Sequence, residues 1–229
     1  MFSFGSVCVS IWLAFKYIKY HLKDNSSGHT GTSIARKILD DNGLHHIEIK
    51  STGSRMFGNS YSHYFKKVRL RRLTRHETSL TSLGMGAQKA CLAILAKEND
   101  PDMVKLIKLV PLITFGPFAF IPLVAIGVML DIILFSGSGI FTLILGALGF
   151  LFYVYSIVLS LVTLKTEKKA QERAYEILRG YNVITDHEPE CLKELFRLYN
   201  IQYVNDIILA SLELVYVILK ILVKIKRND

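Results

Sequence analysis

The chain is poor in cysteine, in acidic residues and in repetition. Its three cysteines, Cys8, Cys91 and Cys191, form neither a close pair nor a metal-ligand spacing. That excludes a disulfide-stapled secreted domain and fits free thiols on a reducing side. Asp and Glu number 19 against 28 Lys and Arg, for a net charge of +9 over 229 residues. The basic stretch from Lys66 to Arg75 carries no stacking aromatic pattern, so nucleic acid is not expected as a partner. Contact with anionic lipid, or a plain solvated face, accounts for it. No internal repeat or low-complexity tract is present, and a soluble composition is also missing. Hydrophobic residues make up 51% and mean hydropathy is +0.33, with long apolar runs in the second half. This is the composition of a membrane protein with one modest soluble portion.

Residues 2–20 open with an apolar stretch to Phe15, and Lys16, Lys19 and Lys23 come after it. A signal peptide has the opposite charge order, so this segment is predicted to be a retained anchor, domain 1–22, with its C-terminal end inside. Asp24 to His29 reads as a linker. Thr32 or Ser33 is placed to cap the next helix and Gly43 to end it in the left-handed region. Residues 46–50 and 67–71 alternate as strands, with Val68 and Leu70 on one face, and the segment between reads as turns. A helix is predicted from about Glu77 to Lys97. One apolar stripe on it is Leu80, Leu83, Ala87, Cys91 and Ile94; a second is Thr81, Met85, Gln88, Leu92 and Ala96. Pro101 closes a cytosolic domain, 23–105.

Residues 106–135 can cross a ~30 Å core, with kinks or a broken entry turn expected at Pro111, Pro117 and Pro122. Ser136 to Gly139 turns the chain and 140–164 returns, giving a transmembrane hairpin over 106–164. Lys165, Lys168, Lys169 and Arg173 place its exit on the side of the basic domain. Residues 165–206 are amphipathic helices broken near Gly180, and 207–229 form an apolar helix. Asp206, Glu213, Lys220 and Arg227 fall seven apart on one face of that helix. The last segment either spans or lies on the interface. Asp131 either pairs inside the bundle or marks the end of its span.

A family resemblance joins these pieces. The block Thr30-Gly31-Thr32-Ser33-Ile34-Ala35-Arg36 through Asp40-Asp41-Asn42-Gly43-Leu44, then Tyr61, then Lys67 to Leu70, resembles the bacterial membrane-bound neutral zinc metallopeptidases. Counting on without gaps reaches Ala87 to Ala93, where that family carries His-Glu-x-x-His. The motif places two imidazoles on one helix face to share a metal, with a Glu as general base on bound water. Here the working positions read Gln88, Lys89 and Leu92. Further on, Leu161 to Leu164 and Glu167 resemble the family's Leu-Pro-x-Glu stretch, which implies that Glu167 corresponds to the third ligand. Lys169 stands where an Asp is usual, and Ser62 and His63 replace an Asp-Pro.

The fold expected is therefore a mainly α membrane protein. It has an N-terminal transmembrane helix, a small α+β zincin-like cytosolic domain, a transmembrane hairpin, and C-terminal amphipathic and apolar helices. The resemblance also implies that 207–223 spans. The function expected is that of a degenerate relative, not an enzyme and without a cofactor. It would act as a scaffold or regulatory subunit in a plasma-membrane complex, touching integral membrane proteins or its own copies as well as the bilayer. Met85, Asp206, Glu213 and Lys220 are the candidate partner-facing residues. One alternative is an active peptidase with a metal site rearranged around His63, His76, Cys91 and Glu167. Another is a protein that handles lipid or solute. His76-Glu77 begins like a zinc motif, but position 80 is Leu, and the adjacent His45 and His46 point to opposite faces. If the fold is kept, Lys89 and Glu167 can approach and form an ion pair in the place of zinc.

Overall fold

A computed structural model describes residues 3–52, 58–135, 139–185 and 187–228. Its elements in chain order are α1 (Ser3–His21), α2 (Gly31–Asp41), β1 (Glu48–Ser51), β2 (Ser60–Ser62), β3 (Lys67–Leu70), α3 (Arg72–His76), α4 (Leu80–Lys97), α5 (Pro101–Phe135), α6 (Ile140–Gly180) and α7 (Glu188–Asn228). The protein is mainly helical with one small sheet. It divides into two compact units, Met1–Met103 together with Leu164–Asp229, and Val104–Thr163.

In the first unit α2 starts earlier than Thr32. Thr30 is its cap, accepting from the Ser33 amide at 3.1 Å. The reason is a close backbone approach. A Cβ at Gly31 would collide with the Thr74 carbonyl, and one at Gly86 of α4 would stand 2.8 Å from the Gly31 Cα. Only glycine lets α2 and α4 cross this tightly. Ile34, Ala35, Ile38 and Leu39 are fully buried in that crossing. At its end, Gly43 takes φ +66°. The Leu44 amide donates to Leu39 O at 2.8 Å and the Gly43 amide to Asp40 O at 2.9 Å, closing a Schellman turn.

The sheet order is β1-β3-β2. β1 runs parallel to β3 with Ile49 opposite Val68, and β2 runs antiparallel with Tyr61 opposite Val68. Val68 and Leu70 are buried, as their alternation requires. β2 has only three residues beside Gly58 and Asn59, so composition gives a turn there. Its pairing to β3 makes it a strand, helped by the Arg71 amide donating to Asn59 Oδ1 at 2.7 Å.

The helix expected from Glu77 is split. α3 stops at His76, and residues 77–79 extend to pair with the linker: the Leu80 amide donates to Lys23 O and the Asn25 amide to Thr78 O, each at 2.8 Å. Ser79 then caps α4, accepting from the Ser82 amide at 3.2 Å. From Leu80 to Leu95 every residue of α4 is buried, so both of its stripes are interior. α7 docks through its first residue. The Glu188 carboxylate accepts from the Ser26 amide at 2.7 Å and from the Ser26 hydroxyl at 2.6 Å. It meets α1 where Tyr20 and Lys16 both donate to Glu194.

α5 and α6 correct two boundaries. Pro101 begins α5, at a position where its missing N–H is not needed. Pro111, Pro117 and Pro122 lie within this single helix and do not break it. α6 runs on to Gly180, past the boundary expected at Leu164; the chain then breaks before α7, as the Gly180-Tyr181-Asn182 signal implies. In the second unit Asp131 receives the start of α6. Its carboxylate accepts from the amides of Phe141 and Thr142 at 2.9 and 2.8 Å and from the Thr142 hydroxyl at 2.7 Å. Of the two readings of Asp131, pairing inside the unit is the one observed. The turn residues 136–138 lie outside the described residues. Among those described, one helix, α6, is long and apolar enough to cross a membrane, and Phe120–Leu134 is apolar but shorter.

Candidate functional site

The turn 88–92 of α4 faces α6 one turn beyond Leu164. Gln88 and Lys89 sit side by side on it, and Glu167 reaches them from α6. Lys89 Nζ donates to both oxygens of the carboxylate, at 2.7 Å each, and Gln88 Nε2 donates to Oε2 at 2.6 Å. The lysine side chain is 2% exposed and the glutamate 18%. Lys89 is offset by one residue from the face that Gln88 and Leu92 share, and its four-carbon stem makes up the difference. Both partners are thus inside, where an ion pair holds only if each charge is fully met. Tyr199 of α7 closes one side, its ring centroid 5.9 Å from the ammonium and 6.5 Å from the Tyr17 ring. Burial, then the Glu167 charge, pushes the Tyr199 hydroxyl up to about 12, so at neutral pH it is a neutral wall. Leu92 is buried and apolar. Gln88 Oε1 is buried with no hydrogen-bond partner.

A second ionic cluster joins the start of α5 to α6. Asp100 caps α5, accepting from the amides of Asp102 and Met103 at 2.9 and 3.1 Å. Lys169 lies 2.9 Å from Asp100 and 2.5 Å from Asp102, with Lys165 3.0 Å from Asp102. The hydrogen bonds from Lys169 and Lys165 hold Asp102 below the usual carboxylate range, and raise Lys169 in return. For Asp100, burial pushes upward, but Lys169 and the two amides outweigh it and the net shift is downward. This cluster was not foreseen. Its signal is the pair Asp100-Pro101, a cap followed by a first-turn proline.

The other candidates separate. Cys91 is fully buried, and burial raises its thiol above the ordinary 9.0, which keeps it a protonated hydrophobe and not a ligating thiolate. His63 lies between the rings of Tyr61 and Tyr64, and burial lowers its ring basicity. His76 ends α3, and it is the neighbouring Glu77 that pairs, with His21 at 2.9 Å. His45 pairs with Asp40 at 2.8 Å. Among the described residues no group of three or more His, Cys, Asp or Glu could hold a metal; the site proposed around His63, His76, Cys91 and Glu167 is not assembled. Met85 is fully enclosed by this chain, so it presents nothing to a partner, because α4 has no outward face. Asp206 is exposed. The side chains of Glu213, Lys220 and Arg227 lie outside the described residues.

A family model described as "Putative neutral zinc metallopeptidase" matches residues 1–222. The chain belongs to this family. Of curated proteins, this metallopeptidase-family chain is similar to "Putative membrane protease YugP" of Bacillus subtilis (strain 168), at 27% identity over 213 residues, covering 90% of this chain and 88% of that protein. No solved structure matches it. The resemblance read from the Thr30 block and from Glu167 is thereby shown. The expectation that the chain is not an enzyme is overturned, since the family and the relative are both described as peptidases.

The family name implies zinc, and the residues can be tested for it. A zinc ion takes imidazole, thiolate or carboxylate ligands. Of the four positions only Glu167 supplies one, and both its oxygens already bind the Lys89 ammonium. A fixed cation on the ligand carboxylate repels a second. The residues present therefore do not fit zinc at this place, and no chemical step is routed through it.

Proposed function

We propose that this member of the zinc metallopeptidase family works in the plasma membrane by holding protein partners, as a scaffold or regulatory subunit of an integral membrane complex. The observation that carries this reading is the Gln88–Lys89–Glu167 cluster, where the side chains on the family's ligand positions are spent on joining α4 to α6. Support for the membrane comes from the apolar length of α6 and from the exposed Trp12, Phe15 and Ile18 on α1, with Leu22 just after it. In the proposed topology α1 anchors the chain, residues 106–164 cross and return, and the basic part lies in the cytosol. Affinity purification from membranes tests it. One or more membrane proteins, or further copies of the chain, are expected in fixed proportion; a monomer that carries no protein through mild detergent would end the proposal.

The descriptions of the family and of the relative favour a second reading, that of a membrane protease. It calls for peptide-bond cleavage by the pure protein that a chelator abolishes, with one tightly held zinc per chain.

A further inference from the structure

In the first unit the C-terminal part of α6 and the N-terminal part of α7 lie side by side in opposite directions. Gln171 and Asn200 exchange two amide hydrogen bonds, at 3.0 and 2.8 Å, and Lys193 stacks 4.7 Å from the Tyr175 ring. Along this seam runs a groove of about 990 Å³, at the upper end of the roughly 300–1,000 Å³ of small-molecule sites. One end is apolar, lined by Val9, Leu164, Ile201, Val204 and Ile208. Val204 and Ile208 are 39% and 47% exposed, which is costly for residues facing water.

From there on the groove is basic, with Lys168, Arg179, Lys193 and Arg197 against Glu172 and Glu176. The nearby Arg173 is neutralised by Glu98 and Glu176. Among the described residues none of the four groove cations meets a carboxylate within ion-pair distance, and two of them rest on the Tyr175 ring. The helix itself says where this groove opens. Leu164 ends the apolar part of α6 and Lys168 is one turn on, roughly 6 Å along the axis, which is about the depth of a headgroup layer.

We infer that the α6–α7 groove is a binding site for an anionic phospholipid, its phosphate between Lys168 and Arg197 and an acyl chain along Leu164, Ile201, Val204 and Ile208. The charge excess selects the headgroup and the apolar end takes the tail. The two basic residues meet the phosphate by charge and hydrogen bonding. The site shares the membrane setting of the proposed function but not its partner role, so it stands whether or not a protein co-purifies.

The test uses the full chain in neutral micelles, titrated with phosphatidylglycerol, phosphatidylcholine or glycerol 3-phosphate, with bound lipid counted by native mass spectrometry. One phosphatidylglycerol per chain is expected, at least ten times tighter than phosphatidylcholine. Lys168→Gln with Arg197→Gln should weaken it roughly 30-fold, from the worth of two basic groups facing anionic lipid, while Lys168→Arg with Arg197→Lys should hold it. Val204→Trp should weaken both lipids by filling the tail end. Equal binding of the two lipids would overturn the inference, as would loss in the charge-keeping pair, an unchanged affinity in the neutral pair, or competition by glycerol 3-phosphate at lipid concentrations. A polypeptide found cross-linked to Val204 in place of lipid would overturn it too.

Discussion

Removing one carboxylate gives the sharpest prediction. Glu167→Gln takes away the anion that both neutralises Lys89 and receives two of its protons at 2.7 Å. The ammonium is 2% exposed, so it would be left charged and largely out of reach of water. Breaking a buried pair from one side costs about 3–5 kcal/mol, because the remaining charge is left unmet. For a chain of this size each kcal/mol moves the unfolding midpoint by about 2–4 °C, so a fall of roughly 6–20 °C is expected. Lys89→Met should cost less, about 1–3 kcal/mol, since Glu167 keeps the Gln88 amide and partial solvent contact. The double variant Lys89→Met with Glu167→Leu should recover most of the loss, because apolar replacement of a whole buried pair is often neutral or better. The assay is thermal unfolding of the four proteins in one mild detergent, read as a double-mutant cycle. A Glu167→Gln cost below about 1 kcal/mol, or a double variant that costs the sum of the singles, would refute the claim that the pair clasps the two helices.

Three further outcomes can be checked. Gly86→Ala should lower the unfolding midpoint by the equivalent of roughly 1–3 kcal/mol, as overpacking does, since its methyl meets the Gly31 backbone; an unchanged midpoint would mean that α2 and α4 cross less closely. Asp100 and Asp102 are held below 3.8 in the folded protein, so their stabilisation is complete above about pH 4 and is lost as pH falls through the depressed values. Lys169 is held above 10.5, so its share is complete below that and is lost as pH rises past it. Asp102→Asn should flatten the acid limb of the midpoint against pH, and an unaltered limb would count against this. Finally, Gln88→His with Lys89→Glu and Leu92→His frees Glu167 and supplies two imidazoles; metal analysis should find a gain of one zinc per chain, and no gain would show that position 167 is not a ligand position.

Much of this was legible in the residues. The motif block from Thr30 fixed the family, Gly43 fixed the end of α2, and the spacing from Ala87 to Glu167 set up the pairing that the structure contains. What escaped was set by partners distant in sequence. The extended residues 77–79 are helical by pattern but are captured by the linker at Lys23 and Asn25, and no local signal encodes that pairing. β2 exists because β3 is beside it. Met85 was expected to face a partner because one helix has two stripes and only one was needed for a core, whereas the elements packed around α4 leave every residue from Leu80 to Leu95 buried. Three prolines implied kinks or a broken entry turn, and α5 is unbroken, since an apolar helix keeps its form when the remaining backbone groups have nowhere better to go.

The start of the basic stretch of α6 has a mechanical meaning. Lys165, Glu167 and Lys169 fall within little more than one turn, and each meets an opposite charge, Asp102, Lys89 and Asp100. A helix pinned at neighbouring points cannot spin about its own axis without breaking several of them together, so the carboxylate stays against Lys89 through twists that a lone pair would not survive.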